Sequence, residues 1–82
     1  MRYHSRQEIE YDDIKITYKD NDKECYIYYF EIYNLHILNL NASPIIQIYC
    51  QNTSPFSIIY PKDDFDTFQK DFNYFIDSML ED

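Results

Sequence analysis

Eighty-two residues, fifteen acidic against seven basic, carry a formal net charge of −8 and leave room for one domain, 1–82, built on one core. So few Lys and Arg exclude sequence-independent nucleic-acid binding, whose affinity comes from neutralising phosphates, and argue against an anionic membrane surface. Ten Tyr and six Phe supply roughly 150–250 Å² of burial each, and the Tyr hydroxyls imply rings standing half in water, as suits a contact surface.

The N-terminus, Met1 to Arg6, runs into Gln7-Glu8-Ile9-Glu10 without the apolar stretch of an export signal, so a cytoplasmic chain is expected, frayed over 1–7. Ile9 and Tyr11 alternate in one parity and Ile14, Ile16 and Tyr18 in the other. A break or bulge near Asp12-Asp13 reconciles the registers, with one face buried. Asp20-Asn21-Asp22 marks a turn, and in a chain without glycine the left-handed positions must fall to Asn or Asp.

Cys25 to Tyr33 is apolar on both parities, which reads as a central strand covered on both sides or as a strand facing a partner. Leu35 to Leu40, Ile45 to Cys50 and Phe56 to Tyr60 follow at hairpin spacing, separated by Asn41-Ala42-Ser43-Pro44 and Asn52-Thr53-Ser54-Pro55. The connections are too short for crossover helices, so an antiparallel meander of four to five strands is expected. Phe65, Phe68, Phe72, Phe75, Ile76, Met79 and Leu80 then fall on one helical stripe, predicting an amphipathic helix over about 63–80 that covers the sheet. Asp63 reads as its N-cap, with Asp64 and Asp66 in the first turn. The fold class is therefore α+β, a meander closed by one C-terminal helix.

Chemistry is hard to place on this chain. Cys25 and Cys50 stand apart, His4 and His36 have no ligand-spaced neighbours, and Ser43, Ser54, Ser57 and Ser78 have no nearby base. A phosphate loop is excluded by the lack of glycine, and Asp20 to Glu24 lacks the glycine and final Glu of a calcium loop. No catalytic residue, metal or cofactor is expected.

What remains is binding. Asp20, Asp22 and Glu24, the N-terminal acids Glu8, Glu10, Asp12 and Asp13, and the outer helix face with Asp63, Asp66, Tyr74, Asp77 and Glu81 form three acidic groups. The helix alone offers one acid per roughly 7 Å against a duplex's one per ~1.7 Å. Mimicry of nucleic acid thus needs the groups to join on one side. Residue usage rich in Ile, Asn, Tyr, Asp and Lys fits an AT-rich source such as a phage or mobile element. The reading is a non-catalytic inhibitor of the anti-CRISPR or anti-restriction type, presenting Asp63, Asp66, Asp77 and Glu81 with Asp20, Asp22, Glu24, Tyr26, Tyr28 and Tyr74 to a host protein with a basic nucleic-acid-binding surface. The alternative is an assembly protein, a homodimer formed through a tyrosine-rich sheet face or through the edge strand Ile14–Tyr18.

The segment Ser57-Ile58-Ile59-Tyr60-Pro61 through Phe65, Phe68 and Phe72 also resembles the last strand and helix of the ββββα unit of Pur-type single-strand-binding domains. That resemblance implies a meander with one closing helix and an aromatic sheet face on which bases stack, aided by basic residues.

Overall fold

The computed structural model describes residues 3–40, 42–51 and 54–80. Seven strands and one helix follow in chain order: β1 (Tyr3–Ser5), β2 (Ile9–Tyr11), β3 (Lys15–Asp20), β4 (Lys23–Tyr28), β5 (Ile32–Leu40), β6 (Ser43–Cys50), β7 (Phe56–Ile59) and α1 (Phe65–Leu80). The class is α+β. The strands form two sheets rather than one, an antiparallel β2-β3-β4 and a four-stranded β1-β7-β6-β5.

The split falls inside the run expected to be one central strand. A single 3₁₀ turn, Tyr29–Glu31, ends β4, and the Glu31 carboxylate accepts the Tyr28 amide at 3.2 Å. The turn shifts the side-chain parity, so Ile27 and Tyr29 point inward before it and Ile32 after it, while Tyr26, Tyr28, Phe30 and Tyr33 are exposed. β4 is thus an edge strand with one open face. The strands buried on both faces are β6, where Ile45, Ile46, Gln47 and Ile48 are all buried, and β7, where Phe56, Ser57 and Ile58 are.

The N-terminal residues described add a strand to the four-stranded sheet. Tyr3–Ser5 lies parallel to β7, with His4 opposite Ile58. His4 is buried, stacked on Phe56 at 4.7 Å and edge-on to Tyr18 at 5.3 Å. Ser5 then caps the 3₁₀ turn Arg6–Glu8 by accepting the Gln7 amide at 3.3 Å, while Glu8 accepts the Ser5 amide at 2.8 Å. These reciprocal bonds tie Ser5 to the 3₁₀ turn.

The break near Asp12-Asp13 is a turn. Asp12 accepts the amides of Ile14 at 2.7 Å and Lys15 at 2.9 Å, an Asx arrangement that reverses the chain. Tyr11 therefore pairs with Ile16 and Ile9 with Tyr18 on one inward face. Ile14, expected to share that face, is instead thrown out and is 59% exposed. At the far end of β3, Asn21 (φ 52°) and Asp22 (φ 63°) make the two-residue turn before β4, as a glycine-free I′ hairpin requires. Ala42, at φ 67°, takes the third left-handed position.

The helix starts two residues later than expected, because Asp64 rather than Asp63 accepts the Thr67 amide, at 3.2 Å. Phe68 and Phe75 are fully inside, Phe72, Ile76 and Met79 half-buried, and Phe65 and Leu80 exposed. One cluster of buried residues joins the helix to the inward faces of both sheets, including Ile16, Ile27, Ile46, Ile48, Phe56, Ile58, Tyr60 and Phe75. Among the described residues no helix is long and apolar enough to cross a membrane.

Candidate binding groove

The turn at Asp12–Ile14, the 3₁₀ turn at Tyr29–Glu31 and the last turn of α1 meet at one end of the molecule. The Tyr29 amide donates to the Ile14 carbonyl at 3.1 Å, and the Tyr74 hydroxyl donates to Asp13 Oδ1 at 2.8 Å. Between them opens a groove of about 550 Å³ lined by Asp13, Ile14, Tyr29, Phe30, Ile32, Ser78 and Met79. A second depression continues from it past Asp13, Tyr74, Asp77 and Ser78.

Exposed rings and polar groups share the groove wall. Phe30 is 78% exposed and stacks on Tyr28 at 5.4 Å. Tyr26 extends this surface one step along β4, with the Lys15 ammonium 5.6 Å from its ring centre. Large rings left in water in this way mark contact surfaces. The floor holds Tyr29, which is 4% exposed and whose hydroxyl has no hydrogen-bond partner. Burial, followed by the nearby Tyr74 and Asp12, pushes its pKa well above the ordinary tyrosine value.

Acids form the rim. Asp12 is held below the usual carboxylate range by the Ile14 and Lys15 amides and then by the Lys15 charge, so it stays ionised. The bond to Asp13 raises the Tyr74 pKa and keeps that phenol protonated. The arrangement offers a slot of mixed polarity, its apolar side chains flanked by Asp13 and Asp77, with no nucleophile–base pair inside it.

A separate cluster lies in the interior. Asp71 is 1% exposed; its carboxylate accepts Arg6 Nε, the Tyr11 hydroxyl at 2.5 Å and the Tyr60 hydroxyl at 2.8 Å. The Arg6 guanidinium also lies 5.4 Å above the Tyr11 ring. Burial and then the bond to Asp71 push Tyr11 up to about 12 and Tyr60 further still. Burial works against the Arg6 charge, but Asp71 outweighs it and the net shift is upward. A carboxylate saturated by three donors has little capacity left to react; this cluster ties the N-terminal 3₁₀ turn and β2 to the helix.

The residues singled out from sequence fall in three places. Tyr74 and Asp77 stand at the groove, with Tyr28 and Tyr26 on the adjoining surface. Asp20, Asp22 and Glu24 lie at the β3–β4 tip, five residues beyond Lys15 and so about 17 Å from it. Glu24 accepts the Tyr26 hydroxyl at 2.8 Å and lines a shallow depression with Glu8, Glu10 and Lys19. Asp63 and Asp66 are exposed at the helix start, eleven residues or about 16 Å along the axis from Asp77 in the case of Asp66. Glu81 lies outside the described residues. The structure joins members of different acidic groups in two places, Glu24 with Glu8 and Glu10 in one depression and Asp13 with Asp77 in another.

Phe30 and Asp71 were not among the sequence candidates, Asp13 entered only as one of the N-terminal acids, and Ile14 only as part of an edge strand. Asp71 had a visible signal, since it falls between Phe68 and Phe75 on the apolar stripe. Phe30 and Ile14 had none, because each continues an alternation that the adjoining turn interrupts. Among the described residues no group of three His, Cys, Asp or Glu could hold a metal. Comparison with known protein families, curated proteins and solved structures finds no match.

Proposed function

We propose that the chain is a non-catalytic binding module that seats a basic, partly apolar segment of a partner protein in the groove beside Phe30. The observation that carries this reading is Phe30 itself, 78% exposed on the rim of a groove edged by Asp13 and close to Asp77. An aromatic anchor supplies affinity, and the surrounding carboxylates select and steer a cationic partner. The net charge of −8 adds long-range attraction toward such a surface. The gaps between acidic groups favour local recognition over imitation of a phosphate row. Composition favours a phage- or mobile-element-encoded inhibitor acting in the host cytoplasm on a nucleic-acid enzyme, whose groove is basic by necessity.

Affinity capture with paired variants tests this. A protein with a basic groove, retained by the wild type at low salt, should be lost from Phe30→Ala and from Asp13→Asn/Asp77→Asn, but kept by Asp20→Asn/Asp22→Asn. Retention by all variants, or loss only from the hairpin-tip variant, contradicts the groove as the contact site.

A further inference from the structure

The long edge of the four-stranded sheet carries a second signal, independent of the groove. Among the described residues β5 is its outermost strand, paired on one side only, with β6. Its nine residues, Ile32-Tyr33-Asn34-Leu35-His36-Ile37-Leu38-Asn39-Leu40, include no Asp, Glu, Lys or Arg, although such residues make up 27% of the chain. Natural edge strands are blunted by charges, prolines or bulges against pairing with another chain. Here the one register shift lies at the extreme start, between Ile32 and Asn34, and the rest of the edge is unprotected.

The direction of its backbone groups follows from its neighbours. The Pro44 carbonyl accepts the Tyr60 amide at 2.9 Å, so the main chain of Pro44 faces β7. Alternation then turns Ile46 and Ile48 toward β7, and Ile45, Gln47 and Tyr49 toward β5. Their partners Leu38, His36 and Asn34 are the ladder-bonded residues of β5. Leu35, Ile37 and Asn39 therefore direct their amides and carbonyls outward. Consistently, the Leu35 amide donates not to a strand but to the Asn34 side chain, at 2.9 Å. Beside this edge Ile37 is 55% and Phe65 58% exposed, and both line a mainly apolar depression of about 200 Å³ whose one charged lining residue is Lys62.

We infer that β5 pairs antiparallel with β5 of a second copy across a two-fold axis, joining the two four-stranded sheets into one. The occupant follows from charge. Two molecules of −8 repel wherever their acids face each other, and this charge-free strip lets copies meet without opposing carboxylates. A two-fold contact is also satisfied by one surface alone, and antiparallel strands meet that condition by geometry. A basic partner strand would find nothing here to pair its charges.

Sedimentation equilibrium of the full chain at physiological salt tests the inference. The wild type should show a twofold rise in weight-average mass with concentration. Ile37→Lys should remain monomeric, although it lowers the net negative charge, because it places like charges together across the axis. Asn39→Pro should do the same while leaving the fold intact, since the amide it removes points away from β6; far-ultraviolet circular dichroism checks the fold of both. Gln69→Lys, the same added charge on the exposed helix surface, should still dimerise. A wild type that stays monomeric at all concentrations, or folded Ile37→Lys and Asn39→Pro variants that still dimerise, overturns the inference.

Discussion

Asp71 stands three residues after Phe68 and four before Phe75, a spacing that assigns it to the core face of the helix. A lone carboxylate there would be expelled or neutralised, and three donors make its burial tolerable. Removing it leaves Arg6, Tyr11 and Tyr60 with unpaired polar groups. Asp71→Ala should cost about 3 kcal/mol in urea denaturation, whereas Tyr60→Phe, which leaves the other two donors in place, should cost about 1.5 kcal/mol. A second consequence appears at high pH. Tyr11 is raised to about 12 in the folded chain against about 10 unfolded, so above that lower value the unfolded state binds fewer protons and stability falls as pH rises. The contribution is complete below pH 10 and is lost between about 10 and 12. Tyrosinate absorbance and circular dichroism should therefore show Tyr11 and Tyr60 ionising with unfolding, not before it.

At the scale of elements, two features of sequence were readable for different reasons. The helix was legible because Phe68, Phe72, Phe75 and Met79 repeat at a period no strand can use. The β5–β6–β7 meander was legible from its turn residues. The division into two sheets was not, since Cys25 to Tyr33 is apolar on both parities and the turn that breaks it is held by one side chain, Glu31. The same ambiguity hid the groove: a continuous strand gives Phe30 no reason to be bare, and continued alternation places Ile14 inside. β1 was illegible because its partner, β7, is more than fifty residues away in sequence. The left-handed turn positions test this level of the account. Asn21 and Asp22 tolerate positive φ through local side-chain bonding, but Ala42 at φ 67° does not. Ala42→Gly should raise stability by about 1 kcal/mol, read as a higher denaturation midpoint with unchanged slope.

Over the whole molecule the acids form separate regions, and that distribution shapes what a partner can recognise. The hairpin-tip acids are interleaved with Lys19 and Lys23, the helix-start acids lie beside Lys62 in sequence, and the groove acids adjoin Phe30, the most exposed ring among the described residues. A partner drawn in by net charge would thus be held where charge and apolar area coincide. Raising the salt should slow association strongly and dissociation little, because screened long-range attraction acts mainly on encounter. Charge reversal at the hairpin tip should change the association rate but leave the residence time near that of the wild type.

The groove can be examined without knowing the natural partner. Amide-resolved NMR titration with a short peptide alternating lysine and leucine would locate the surface that accepts a basic, apolar segment. Shifts concentrated at Asp12–Lys15, Tyr28–Ile32 and Tyr74–Leu80, and absent in Phe30→Ala, are the expected outcome. Shifts centred on the β3–β4 tip or the helix start, or unchanged by loss of the Phe30 ring, would contradict it.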